Sequence, residues 1–135
     1  LAGCGEENFD QERERWRRER PDEYVIVVCE TGLEVGCTLE AVSGATIVTH
    51  AFTLVESYGP DDWVLSEDYP RPGDPVEALF DRAEGASGDC DLDRVSFDDE
   101  FGYVEDYYLD CGEEGGGRRV TCFAPDTVDI TKCDG

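Results

Sequence analysis

The chain has 135 residues, with 34 Asp or Glu against 11 Lys or Arg and a formal net charge of -23. That charge repels nucleic acid and anionic membrane surfaces, so neither is expected as a direct partner. A chain of this length forms one domain able to bury roughly two-thirds of its unfolded surface, and no run approaches the roughly 18 apolar residues of a membrane helix.

The first four residues, Leu1, Ala2, Gly3 and Cys4, resemble the end of a bacterial lipoprotein signal sequence, the lipobox. Leu1 stands three positions before the cysteine, and two small residues flank the cleavage point. The resemblance implies a diacylglycerol on the Cys4 thiol and an acylated new amino terminus. Each buried acyl methylene contributes about 0.8 kcal/mol, so several chains together anchor firmly. A chance match and an internally paired Cys4 are the rival readings. The cysteine count favours the lipid: seven cysteines less Cys4 leave an even six, the number for three disulfides. Those six fit an oxidising compartment. Residues 1–8 are therefore expected to be a lipobox remnant and short tether, residues 9–135 a single α+β domain, and Cys4 the attachment to the membrane.

In chain order, Asn8 and Gln11 make a capping-box pattern ahead of a charged helix over Asp10 to Arg20, which Pro21 ends. Glu14 and Arg18 have the favourable i,i+4 spacing, and Phe9 and Trp16 form its narrow apolar stripe. Arg13, Arg15, Arg17, Arg18 and Arg20 are the one basic cluster, expected to be neutralised by Glu12, Glu14 and Glu19 on a solvated face. Tyr24 to Cys29 reads as a strand buried on both faces. Cys37 to Val42, the turn at Ser43-Gly44 and a strand over Ala45 to Leu54 complete a three-stranded antiparallel meander. The stretch from Ser57 to Gly73 reads as a long loop, either packed or functional.

Asp74 then caps a second helix, with Pro75 at its first position, Glu77 completing the capping box, and Val76, Leu79, Phe80 and Ala83 on one face. Gly85 ends it. Strands follow over Leu92 to Phe97, Tyr103 to Cys111 and Val120 to Phe123, with a loop at Gly112 to Gly117, and Thr127 to Thr131 is a candidate for a last one. The expected organisation is a helix and three strands, then a helix and three or four strands. Cys29 and Cys37 flank the first hairpin and Cys111 and Cys122 the glycine turn, which leaves Cys90 for Cys133; this is one of many pairings that six cysteines allow.

The stretch from Trp16 to Asp110 resembles the domain-of-unknown-function family 6174 of predicted bacterial lipoproteins. The matching features are Trp16 and Pro21 ahead of Tyr24, the strand ending in Cys29, Ser43-Gly44, the helix start from Asp74 to Phe80, and Val95 with Phe97 before Gly102-Tyr103. Family members usually have proline where this chain has Val104. The resemblance implies fold and envelope location and carries no activity.

No nucleophile elbow, phosphate-binding loop or zinc-protease motif is present, and no cofactor is expected. His50 is the single histidine, on a predicted strand among apolar neighbours, and reads as a structural residue rather than a catalytic base. Calcium has some support from the alternating Asp89, Asp91 and Asp93 and the nearby Asp98 and Asp99, although the spacing is not that of an EF-hand. The expectation is a lipid-anchored protein of the bacterial envelope, facing periplasm or cell surface. It is read as a non-enzymatic binding or structural module, with an envelope protein as candidate partner and oligomeric state unassigned. The alternative is a carboxylate-based or calcium-dependent hydrolase, and a pocket holding two carboxylates with His50 would favour it.

Overall fold

The computed structural model describes residues 4–32, 36–54, 62–84, 90–111 and 114–133. The described elements are α1 (Cys4–Glu19), β1 (Glu23–Gly32), β2 (Cys37–Ser43), β3 (Thr46–Thr53), β4 (Val64–Leu65), β5 (Arg71–Pro72), α2 (Pro75–Glu84), β6 (Asp91–Phe97), β7 (Val104–Cys111), β8 (Glu114–Pro125) and a 3-10 turn (Ile130–Cys133). Leu1, Ala2 and Gly3 of the lipobox-like stretch, Ser57 to Asp61 of the long loop, and Gly85 after α2 lie outside the described residues.

The first helix begins at Cys4 rather than Asp10, so the expected tether and the Asn8 cap are helical backbone. At the other end Arg20 N donates to Trp16 O at 2.8 Å, and Pro21 stops the helix as expected. Phe9 and Trp16 are buried. The arginines find their partners mainly across the helix interface: Arg13 reaches Glu77, Asp81 and Glu84, Arg17 reaches Glu77, and Arg20 reaches Asp74. Arg18 pairs with Glu19 at 3.5 Å rather than with Glu14. Glu77, expected to complete a capping box, instead accepts from Arg13 and Arg17, because α1 lies antiparallel alongside α2 and brings them within reach.

All strands belong to one antiparallel sheet, in the order β4-β3-β2-β1-β8-β7-β6, with β5 also on β3. The α+β class is as expected, with two short strands, β4 and β5, added from within the long loop. Both additions pair with β3 and extend the sheet at that edge. β1 is central and, as its apolar run predicted, is buried on both faces. Tyr24, Ile26 and Val28 join Trp16, Val76, Leu79, Phe80, Tyr103, Val104 and Tyr107 in the core beneath the two helices. Val25 and Val27 join Leu39, Ala41 and Ala51 on the opposite face, which the segment around Trp63 and the 3-10 turn cover.

Three expectations in the C-terminal half are corrected. The stretch 114–117, expected as loop, is the start of β8, and Thr127 to Thr131 leads into the 3-10 turn rather than a strand. Gly112 of the expected loop lies outside the described residues. Glycines can be strand here because Gly117 runs against the β7 backbone: a Cβ on it would fall 1.8 Å from Tyr107 O. Cys29 and Cys37 are disulfide-bonded as expected, but the other two pairs are Cys90–Cys111 and Cys122–Cys133. The reason is register. The β7–β8 ladder sets Cys111 opposite Glu114, and Cys122 lies far along β8 opposite Val27 of β1. Cys90, just before β6, falls beside Cys111, and the 3-10 turn brings Cys133 back to Cys122.

Candidate functional site

A cleft of about 530 Å³ opens where α2 leaves the far end of β1, β2 and β3 uncovered, and it is lined among others by Val28, Glu40, His50, Phe52, Leu79 and Arg82. Its volume is in the range of small-molecule sites.

The floor is set by an irregularity in the β2–β3 hairpin. Ser43 pairs with Thr46 and Val42 with Ile47, but Ala41 pairs with Thr49, so Val48 is an extra residue in β3. Such a bulge restores the alternation one residue late and moves every later side chain to the other face. Ile47 packs in the helix-side core and Val48 on the opposite face. Beyond the bulge, His50 and Phe52 return to the helix side and enter the cleft. Glu40 pairs with His50 on one side and with Ile26 of β1 on the other.

Glu40 is the exceptional group. Neighbouring Leu39 and Ala41 are buried on the other face, which commits the Glu40 side chain to the cleft. Among the described residues it makes no hydrogen bond or ion pair. Burial lifts its pKa to about 7; the Asp74 charge acts in the same direction, and Arg82 opposes it. Arg82, exposed on α2, also makes no hydrogen bond or ion pair with a described residue.

Much of the remaining polar lining is engaged. His50 Nδ1 bonds Ser66 Oγ at 2.7 Å, and its ring stacks on Tyr69 with centroids 4.9 Å apart. Burial, with a smaller contribution from the Arg71 charge, holds its pKa below the usual imidazole value. Asp74 accepts from Tyr24 Oη, Arg20, Trp16 Nε1 and Val76 N. Arg118 donates to Tyr107 Oη at 3.0 Å and to Glu30 at 3.3 Å. At the mouth, Phe52 is 40% and Leu54 78% exposed, forming an apolar rim.

The arrangement therefore combines a carboxyl of near-neutral pKa, a histidine directly across the ladder from it and an apolar rim. It can hold a polar head with an apolar body, and its two titratable groups are placed for proton exchange with a bound ligand. Of the residues singled out from the sequence, His50 and Asp74 line this cleft together with Cys37 of the first disulfide and Pro75 and Leu79 of α2. Glu40 escaped notice because one glutamate among 34 acidic residues carries no signal; its one sequence cue is a charge inside an otherwise apolar strand.

The calcium candidates do not converge. Asp91 and Asp93 are exposed along the edge strand β6, and Asp98, at its other end, uses Oδ2 to accept from Glu100 N and Phe101 N. Asp99 is in the same turn, its carbonyl accepting from Arg15. Asp89 lies outside the described residues. Among the described residues no three carboxylate, imidazole or thiol groups are arranged to hold a metal. Comparison of the chain with protein-family models, curated proteins and solved structures finds no match.

Proposed function

We propose that this is a lipid-anchored protein of the bacterial envelope, a non-enzymatic binding module whose ligand enters the cleft beneath α2. The observation that carries this reading is the distribution of cysteines: six are paired in three disulfides, and the seventh, Cys4, follows Leu1, Ala2 and Gly3. The disulfides suit an oxidising, extracytoplasmic compartment. Among the described residues no helix is long and apolar enough to cross a membrane, so the reading rests membrane attachment on acylation. The resemblance to the domain-of-unknown-function family 6174 supports the same location. A second reading is favoured by one observation, a cleft that holds His50 with two carboxylates, Glu40 opposite it and Asp74 at the α2 cap: Glu40 and His50 would act in general acid–base hydrolysis.

The test is made in the host bacterium. Cys4→Ser is expected to move the protein from the membrane to the soluble fraction, and mass spectrometry of the amino-terminal peptide is expected to show the acyl mass on Cys4. Retention of the serine variant in the membrane would overturn the anchor. Hydrolysis of a substrate panel by purified protein, abolished by Glu40→Gln, would replace the binding module with the enzyme.

A further inference from the structure

Asp74 and Glu40 are two carboxylates of one cleft with opposite circumstances. Asp74 is saturated by four donors, whereas Glu40 faces the cleft with no partner among the described residues. A partly buried carboxylate without a hydrogen-bond donor forgoes part of its hydration, and the Arg82 charge offsets this only in part, a cost that persists unless a ligand supplies the donor. Beside it, Val28 and Leu79 are apolar lining, and Phe52 and Leu54 form the apolar rim.

From this juxtaposition we infer that the cleft binds a small organic cation, a protonated amine on an apolar body, with the ammonium on Glu40 and the body against Phe52 and Leu54. The inference deepens the binding-module reading and rests on it. The charge of -23 supports it further, since such a field draws cations toward the surface and repels anions. Arg82 selects among amines. Its guanidinium on α2, without a hydrogen bond or ion pair among the described residues, disfavours a second cationic group and leaves a single ammonium with an apolar tail as the best fit.

Protonation follows from the same contacts. Among the described residues, the charged and titratable groups of the cleft around Glu40 are Arg82 from α2, Asp74 at its cap, His50 from β3, Tyr69, and the Glu30–Arg118 pair from β1 and β8. An ammonium on Glu40 favours the carboxylate, so ligand uptake releases a proton near neutrality, and acidification opposes binding.

The experiment uses the intact disulfide-bonded chain at low salt, with hexylamine, hexanol and hexanoate as probes of equal tail length, followed by calorimetry and by amide shifts of Glu40, His50 and Phe52. Hexylamine is expected to bind at least about tenfold more tightly than the other two at about pH 8, and to lose most of that advantage at about pH 5. Glu40→Gln is expected to abolish the advantage and flatten the pH profile; Asp91→Asn, which removes one negative charge from the exposed edge strand β6, away from the cleft, is expected to preserve both. If Glu40→Gln does not fold, the pH profile of the unaltered protein decides. Equal or tighter binding of hexanol or hexanoate, with the same amides shifted, would overturn the amine and leave the cleft as a ligand site. Failure of all three probes to shift those amides would overturn both the amine and the cleft reading.

Discussion

Tyr24 donates its phenolic hydroxyl to Asp74 Oδ1 at 2.5 Å, joining the central strand to the cap of the second helix. Burial, reinforced by the Asp74 charge, raises the tyrosine pKa and keeps the hydroxyl a donor. The same carboxylate takes Arg20 at 2.6 Å and Trp16 Nε1 at 3.2 Å, so both helices and the sheet meet at one side chain.

Asp74→Ala is accordingly expected to cost more than a helix cap alone. Loss of the cap is worth about 0.5–2 kcal/mol, and stranding the Tyr24, Trp16 and Arg20 donors raises the total to about 3–5 kcal/mol. Asp74→Asn, which keeps an acceptor at the cap, is expected to cost less. Urea unfolding of the two variants measures both, and a loss for Asp74→Ala within the cap range would contradict the shared role.

Gly117→Ala is expected to open the β7–β8 ladder, because its Cβ would meet the Tyr107 carbonyl oxygen at 1.8 Å. The clash is with backbone, which cannot swing away, so the destabilisation is expected to be on the order of 3 kcal/mol or more. Gly44→Ala provides the contrast: its Cβ meets open space, leaving only the positive φ of 61° to oppose it, at about 1–2 kcal/mol. A Gly117 variant with unchanged unfolding would show that the register is different.

Peptide mapping without reduction is expected to recover Cys29–Cys37, Cys90–Cys111 and Cys122–Cys133 as linked fragments. A Cys111–Cys122 fragment would overturn the β7–β8 register. Replacing Cys122 and Cys133 together by alanine, which frees a loop closed at a separation of 11 residues, is expected to cost about 2–3 kcal/mol on loop-closure entropy.

Glu40→Gln is expected to stabilise the protein at neutral and higher pH. The folded pKa of about 7 exceeds the ordinary 4.5, so between those values the folded state holds a proton that the unfolded state has lost. Stability from this group therefore falls as pH rises through that window and is level above it. Because the carboxyl opens to the cleft, the gain at about pH 8 is put at about 1–3 kcal/mol, vanishing at about pH 4 where glutamate is neutral. Melting curves at the two pH values check this, and equal melting temperatures at the higher pH would contradict a partly buried Glu40 carboxyl without a partner among the described residues.

Local signals in the chain carried much of the fold. Asp74 followed by Pro75 and an apolar face at helical spacing marks α2, and that face is buried. The run from Tyr24 to Cys29 is apolar at consecutive positions, which suits only a strand covered on both faces, and β1 is that strand. The three-disulfide framework was also legible, since six cysteines in a small chain have few other uses, but two of its three pairings were not. Pairing depends on which residues face each other across strands, and that is a property of register.

Register likewise decided the cleft. From the Ser43-Gly44 turn, a regular hairpin with Ser43 opposite Thr46 would put His50 opposite Leu39 and on the far face of the sheet. The extra residue at Val48 sets it opposite Glu40 instead, on the side where α2 leaves room. Composition, helix caps and apolar periodicity are local, and the sequence by itself determined the elements they govern and the α+β class. Glu40 became a site only when a bulge turned His50 toward it, α2 covered it in part and the Tyr24, Trp16 and Arg20 donors went to Asp74 instead. Each of these is a contact between distant segments, which only the packed tertiary structure decides.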